Sequence, residues 1–142
     1  MIFRDATNND IETIQELLRN SDLPFQDIQS HIMNFSVIVE NHEFIGTGGF
    51  EHYGDVALLR SVAITQPFQG NSIGEKIVNH LISKASVLGV NKLFLLTQTA
   101  DGYFENLGFI KVNRETAPDI IKQTQQYSEL CPMSASLMSK EL

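Results

Sequence analysis

Ile11, Ile14, Leu17 and Leu18 recur at helical spacing behind the cap-forming run Thr7-Asn8-Asn9-Asp10, which predicts a first helix over residues 8–20. Phe25, Ile28 and Ile32 fall on one side of a shorter helix over Phe25–Met33. Three β-branched, strand-like runs follow: Phe35–Glu40, Phe44–Glu51 and Val56–Ile64, separated by turns at Asn41-His42 and Tyr53-Gly54-Asp55. Short connections of this kind predict an antiparallel meander. Gly46, Gly48 and Gly49 leave no side chain to pack inside the middle strand, which points to a bulge or to close approach by another chain or a ligand.

From Ile73 to Leu88 the apolar residues form one stripe, with Gly89 placed to cap the C-terminus, so a long amphipathic helix is expected. Lys92–Thr97 then reads as a buried strand, Ala100–Leu107 as a short helix stopped by Gly108, and Phe109–Asn113 as a strand. A helix started by Pro118 and running to about Gln126, and a last strand over Ser134–Ser139, complete the pattern. Residues 1–142 are thus expected to form one mixed α/β (α+β) domain, a mostly antiparallel central sheet flanked by helices, with a right-handed βαβ-like step in its second half.

Charge narrows the function. The net charge is −7, and no Lys or Arg occurs between Arg19 and Arg60, where Asp22, Asp27, Glu40, Glu43, Glu51 and Asp55 all lie. A nucleic-acid backbone would be repelled, so no nucleic-acid partner is expected. The apolar runs Val62–Ile64 and Leu93–Leu96 are far shorter than a bilayer span, so neither is a membrane partner. One cysteine, Cys131, and a start without a basic and apolar leader lead to the expectation of a cytoplasmic protein.

The segment Gln69-Gly70-Asn71-Ser72-Ile73-Gly74 lies where a strand gives way to the long helix, so unpaired N–H groups and a positive dipole end converge on it. It is an anion site by construction, without the Gly-Lys-Ser/Thr of a nucleotide loop. Arg60 sits in the apolar sequence Leu58-Leu59-Arg60-Ser61-Val62 and needs a carboxylate partner. That partner is either a substrate carboxylate or a protein acid such as Glu51 or Asp55. Glu51 and His52, at a strand end, are candidates to take a proton, against the plainer reading of solvated or pairing groups. His31, His42 and His80 have no metal-ligand spacing, and no metal is expected. Cys131 invites a covalent-intermediate or metalloid-binding role, but a lone Cys before Pro is more simply a packed residue.

The run Val62-Ala-Ile-Thr-Gln-Pro-Phe-Gln-Gly-Asn-Ser-Ile-Gly74, the following helix, Leu95–Ala100 and Tyr103–Phe109 resemble the GNAT superfamily of acetyl-CoA-dependent N-acetyltransferases. Phe50-Glu51, Leu59–Ala63 and the tail around Ala117-Pro118 and Leu130–Ala135 resemble the arsenic-resistance N-acetyltransferase group, itself similar to the acetyltransferase domain of N-acetylglutamate synthases. The resemblance implies acetyl-CoA as cosubstrate. It places the CoA diphosphate on Gln69, Gly70, Asn71, Ser72, Ile73 and Gly74, and the pantetheine arm along Val62, Ala63 and Ile64. Ser72 stands where the family has its middle glycine, and would still donate its N–H with a negative φ.

Phe104 occupies the position of the family's usual tyrosine acid and would touch the cofactor, which leaves the proton donor open between Tyr103, about 100° away on the helix, and a water. Glu51 takes the role of base, Arg60 that of carboxylate clamp, and Thr97 and Thr99 line the acceptor's cleft. The acceptor so implied is a small, acidic amino acid or amino-acid-like toxin, as a free small molecule, and a homodimer is compatible with the resemblance. A polyamine or protein lysine drawn by the acidic front half, and a CoA-binding module without catalysis, are the competing functions.

Overall fold

A computed structural model describes residues Met1–Leu142, and its order of elements follows the sequence pattern closely. Strand β1 (Ile2–Asp5) leads into α1 (Ile11–Asn20), and a 3₁₀ segment (Ile28–Asn34) precedes β2 (Phe35–Glu40), β3 (Glu43–Tyr53) and β4 (Val56–Ile64). Then come α2 (Ile73–Val87), β5 (Lys92–Thr97), α3 (Asp101–Asn106), β6 (Ile110–Val112), α4 (Asp119–Lys122) and β7 (Ser136–Glu141).

Seven strands form one sheet in the order β1-β2-β3-β4-β5-β7-β6, and every pairing is antiparallel except β4 with β5. Local chemistry explains the joints. Thr7 and Asp10 make a reciprocal capping box at the start of the first helix, and Arg4 grips Asp10 through two bonds of 2.9 and 3.0 Å. Asn41 and His42 both take positive φ, as a two-residue hairpin requires. Gly89, at φ +90, closes α2 in a Schellman motif, with Val90 N–H bonded to the Ala85 carbonyl and Gly89 N–H to that of Ser86.

Alternation along the strands divides the core between the two faces. Leu59, Leu93 and Leu95 pack with Ile73, Ile77, Val78, Leu81 and Ala85 of α2. On the other face Ile14 and Leu18 of α1 meet Phe35 and Val37, while Leu58 and Phe94 meet Ile121 of α4. A side chain such as Leu81, fully buried, contributes about 1.5–3 kcal/mol by leaving water.

The three glycines of β3 are explained from within the chain. A β-carbon on Gly48 would stand 2.8 Å from Leu81, and one on Gly49 would strike the Phe35 ring, so these positions let α2 and the β2 side chains approach the sheet. Between the pairs Gly49↔Arg60 and Thr47↔Ala63, β3 has only Gly48 while β4 has Ser61 and Val62. This is a β-bulge, and Ser61 takes φ +63 within it.

Several expectations need correction. The helix expected over Phe25–Met33 is a 3₁₀ segment over Ile28–Asn34. Strand β1 was not anticipated. The helix begun by Pro118 ends at Lys122 rather than near Gln126, because the Thr124 hydroxyl bonds the Ile121 carbonyl, and a separate π-helical turn covers Gln126–Leu130. The last strand begins at Ser136, two residues later than the pattern placed it.

Candidate active site

Strands β4 and β5 pair only at Val56↔Lys92, Ala57↔Leu93 and Leu58↔Phe94. Beyond those three pairs they part, and the gap opens into a cavity of about 910 Å³. Its floor is Leu59–Ile64 of β4 facing Leu95–Ala100. One end is closed by Phe68–Gly70, Ser72–Glu75, Tyr103 and Phe104, the other by Ser21–Pro24 with Gln126, Cys131 and Ala135.

At the first end the loop expected to hold an anion is built by backbone. Gln69 donates its side-chain amide to the Ile64 carbonyl at 2.9 Å, and Gly70 turns at φ +85. The first helical bond of α2 runs from Lys76 N–H to Ser72, so the N–H groups of Ser72, Ile73, Gly74 and Glu75 have no partner within the helix. No Lys or Arg lies between Arg60 and Lys76, so this end offers amides rather than side-chain cations. Asn71 stands outside the cavity lining.

Ser72 departs from expectation: its φ is +62, not negative. The backbone here keeps the shape a glycine would give, and the serine bears the steric cost. Ser72→Gly is therefore expected to leave stability unchanged or raise it by up to about 1 kcal/mol, read from urea unfolding midpoints. A clear loss of stability would contradict this account.

Tyr103 and Phe104 both reach the cavity although neighbours on a helix diverge, because α3 meets the gap at its end and the rings stack edge-to-face at 5.1 Å. The Tyr103 hydroxyl lies against Gly74, so that a β-carbon there would collide with it. Burial, and then the charge of Glu75, raise the Tyr103 pKa, and the phenol stays protonated at neutral pH. Thr97 and Thr99 line the gap as expected, and Thr97 also accepts the Ala100 N–H at 3.0 Å.

At the other end Arg60 is 1% exposed in its side chain and almost fully engaged. Its Nη1 and Nη2 donate to the two oxygens of Asp27 at 2.6 Å each, Nη1 also to Glu51 at 2.8 Å, and Nε to the Ser61 hydroxyl at 3.0 Å. Burial opposes its charge, but Asp27 first and Glu51 second outweigh it and raise the pKa. Of the acids weighed from sequence, Glu51 is a partner and Asp55 is not.

Glu51 is 1% exposed, accepts a short hydrogen bond from Tyr53, and is absent from the cavity lining. His52 turns away to bond the Gly54 carbonyl at 2.8 Å. Asp27, His31 and Glu51 place one ligand atom each within 4.8 Å of one another, but two of the three already hold Arg60.

Sequence reasoning missed Asp27 and the tail wall. The tail is pinned by Arg114, which donates to the carbonyls of Ala135 and Tyr127 at 2.9 and 3.3 Å and lies over the Tyr127 ring. The need of Arg60 for an acid was legible, but nothing local marked a partner 33 residues away. Cys131 lines the cavity, and burial raises its pKa above the usual thiol value. Its alkylation by iodoacetamide at pH 8 is expected to be at least about tenfold slower in the folded protein than after unfolding; equal rates would mean a free, ionised thiol.

The chain matches the model of the acetyltransferase (GNAT) family over residues 5–109. It is 26% identical over 133 residues to the amino-acid acetyltransferase of Escherichia coli K12, covering 87% of this chain and 30% of that protein. The Neisseria meningitidis serogroup A amino-acid acetyltransferase is 23% identical over 129 residues, covering 82% and 29%. The chain therefore spans less than a third of the length of these curated relatives. Among solved structures, N-acetylglutamate synthase from Neisseria gonorrhoeae, complexed with coenzyme A and N-acetyl-glutamate, superposes with a TM-score of 0.85 at 20% identity, over 99% of this chain and 35% of that one. Rv2747 from Mycobacterium tuberculosis, in complex with CoA and NLQ, gives 0.84 at 19% identity, over 100% and 99%.

Proposed function

Because the chain belongs to the acetyltransferase (GNAT) family, whose members draw acetyl from acetyl-CoA, we propose that it acetylates the α-amine of a small amino acid. The observation that carries this reading is the split between β4 and β5, which opens one cavity from the loop with free amides at one end to the surroundings of Arg60, Gln126 and Cys131 at the other. The curated relatives carry the name amino-acid acetyltransferase, which supports the acceptor class.

The loop amides of Ser72–Glu75 meet the diphosphate, and the backbone of Val62, Ala63 and Ile64 takes the pantetheine arm, with acetyl-CoA supplying the thioester. Besides Arg60, whose guanidinium is already paired, the polar residues lining the cavity include Ser61, Thr97, Thr99 and Gln126, neutral groups that suit a single α-carboxylate. An amino-acid-like toxin with the same α-amine and carboxylate fits equally. The acidic side chain expected from Arg60 loses its main support, since Asp27 and Glu51 already pair that cation. Tyr103, kept protonated, is positioned at the cavity to return a proton to the departing thiolate.

Glu51 does not line the cavity and is occupied by Tyr53 and Arg60, so we assign it the holding of Arg60 rather than the base role. The acceptor ammonium then loses its proton to water at the cavity mouth. A consequence follows for pH: log kcat/KM is expected to rise with unit slope up to the acceptor's own ammonium pKa, and a plateau in the carboxylate or imidazole range would restore an enzyme base.

The deciding experiment is thiol release from acetyl-CoA across amino acids and polyamines. Selective turnover of amino acids supports the reading. Preference for polyamines would favour the cationic-acceptor alternative, for which the two carboxylates around one guanidinium speak. Tight CoA binding without turnover on any amine would leave a binding module.

A further inference from the structure

The acceptor end of the cavity contains a cation that the protein itself has capped. Both Asp27 oxygens lie 2.6 Å from the two terminal nitrogens of Arg60, the bidentate geometry by which a guanidinium receives a carboxylate ligand. Asp27 stands at the N-terminus of the 3₁₀ segment Ile28–Asn34, yet its side chain makes no capping bond there, so its carboxylate is committed to Arg60. Both side chains are more than nine-tenths buried, at 8% and 1% exposure. Arg60 is among the residues lining the cavity, and Asp27 and Glu51, which hold its guanidinium, are not. Two carboxylates thus surround one guanidinium, with His31 3.5 Å from Glu51 and Tyr53 donating to it.

We propose that Asp27 sets the class of acceptor: by closing the fork of Arg60 it denies that cation to an acidic side chain, so neutral amino acids are acetylated in preference to their acidic isosteres. This rests on the reading that the acceptor is an amino acid. A substrate carboxylate would have to displace Asp27 and leave it buried without a partner, or else enter as a third negative group beside one positive group. A glutamine side chain has the same shape and meets neither penalty. Asp27 acts here through Arg60, as a positioning residue.

The first test needs only the wild-type protein, with kcat/KM measured for glutamine against glutamate and for asparagine against aspartate. The amides are expected to be favoured by about threefold or more, and an acid ahead of its amide overturns the proposal. The second test is Asp27→Ala, which removes the bidentate carboxylate from the fork of Arg60. The ratio of acid to amide should rise by about tenfold or more, and the gain should vanish in Asp27→Ala/Arg60→Met.

Added formate, refilling the fork of Asp27→Ala, should return the ratio toward that of wild type. An unchanged ratio in folded Asp27→Ala, or a gain that survives loss of Arg60, overturns the proposal. Should Asp27→Ala not fold, the isostere comparison in the wild type still decides. Absence of turnover on every amino acid defeats the amino-acid reading, whereas glutamate ahead of glutamine defeats only the role of Asp27.

Discussion

Arg60→Met is expected to lower the stability of the folded state by about 3–5 kcal/mol, because it strands two buried carboxylates at once. Asp27 and Glu51 are 8% and 1% exposed in their side chains, so water cannot replace the lost guanidinium. For a domain of this size the fall in Tm is roughly 10–15 °C, measurable by calorimetry. Removing one of the stranded charges should help: Asp27→Asn in the same background is expected to recover part of the loss. A change smaller than about 1 kcal/mol would mean that the cluster is far wetter than the geometry shows. The result also decides how activity data are read. Loss of turnover with the thermal transition intact would indicate a hand on the substrate, while loss along with the transition indicates a collapsed ion cluster.

Gly74→Val is expected to weaken acetyl-CoA binding by about a hundredfold, or roughly 2.7 kcal/mol, while the protein stays folded. Gly74 is the second residue of α2, among the N–H groups without helical partners, and its α-carbon lies against the Tyr103 hydroxyl. A β-carbon there displaces a flexible phenol rather than backbone, so the fold absorbs it by swinging Tyr103 aside. The displaced ring and the new side chain then stand over the amides that receive the diphosphate. Titration calorimetry with CoA, next to a thermal melt, separates the two effects. Unchanged affinity in a folded variant would remove the cofactor from this loop.

What could be read from the chain alone depended on whether the determining contact was local. The stripe from Ile73 to Ala85 and the caps at Gly89 and Gly108 reveal themselves within a dozen residues, and those elements came out where expected. Strand β1 did not, since Ile2–Asp5 has no alternation of its own and becomes a strand by pairing with Val39–Ser36. The turn at Gln69–Gly74, which we propose holds the cofactor, was legible as a turn because glycines mark backbone placement, although the left-handed φ of Ser72 was not. The acceptor end was legible only in part. A buried arginine announces that it needs an acid, but which acid answers is a property of the folded chain, and Asp27 comes from a segment with no local signal of its role.

Strand β7 is the last element in sequence, yet it lies inside the sheet, paired with β5 along Lys92–Thr97 on one side and with β6 on the other. Synthesis therefore delivers the two lips of the cleft between β4 and β5 at different times. The β1–β4 layer with α1 can assemble while the chain is still growing, but β5 and β6 have no common neighbour to hold them until residues 136–141 emerge. A ribosome stalled before Ser136 would carry one finished half and one loose half, with β5 exposing an unpaired edge to solvent and to other chains. Chaperone dependence and sensitivity to truncation should accordingly concentrate in residues 136–141, just after the tail residues that line the cavity.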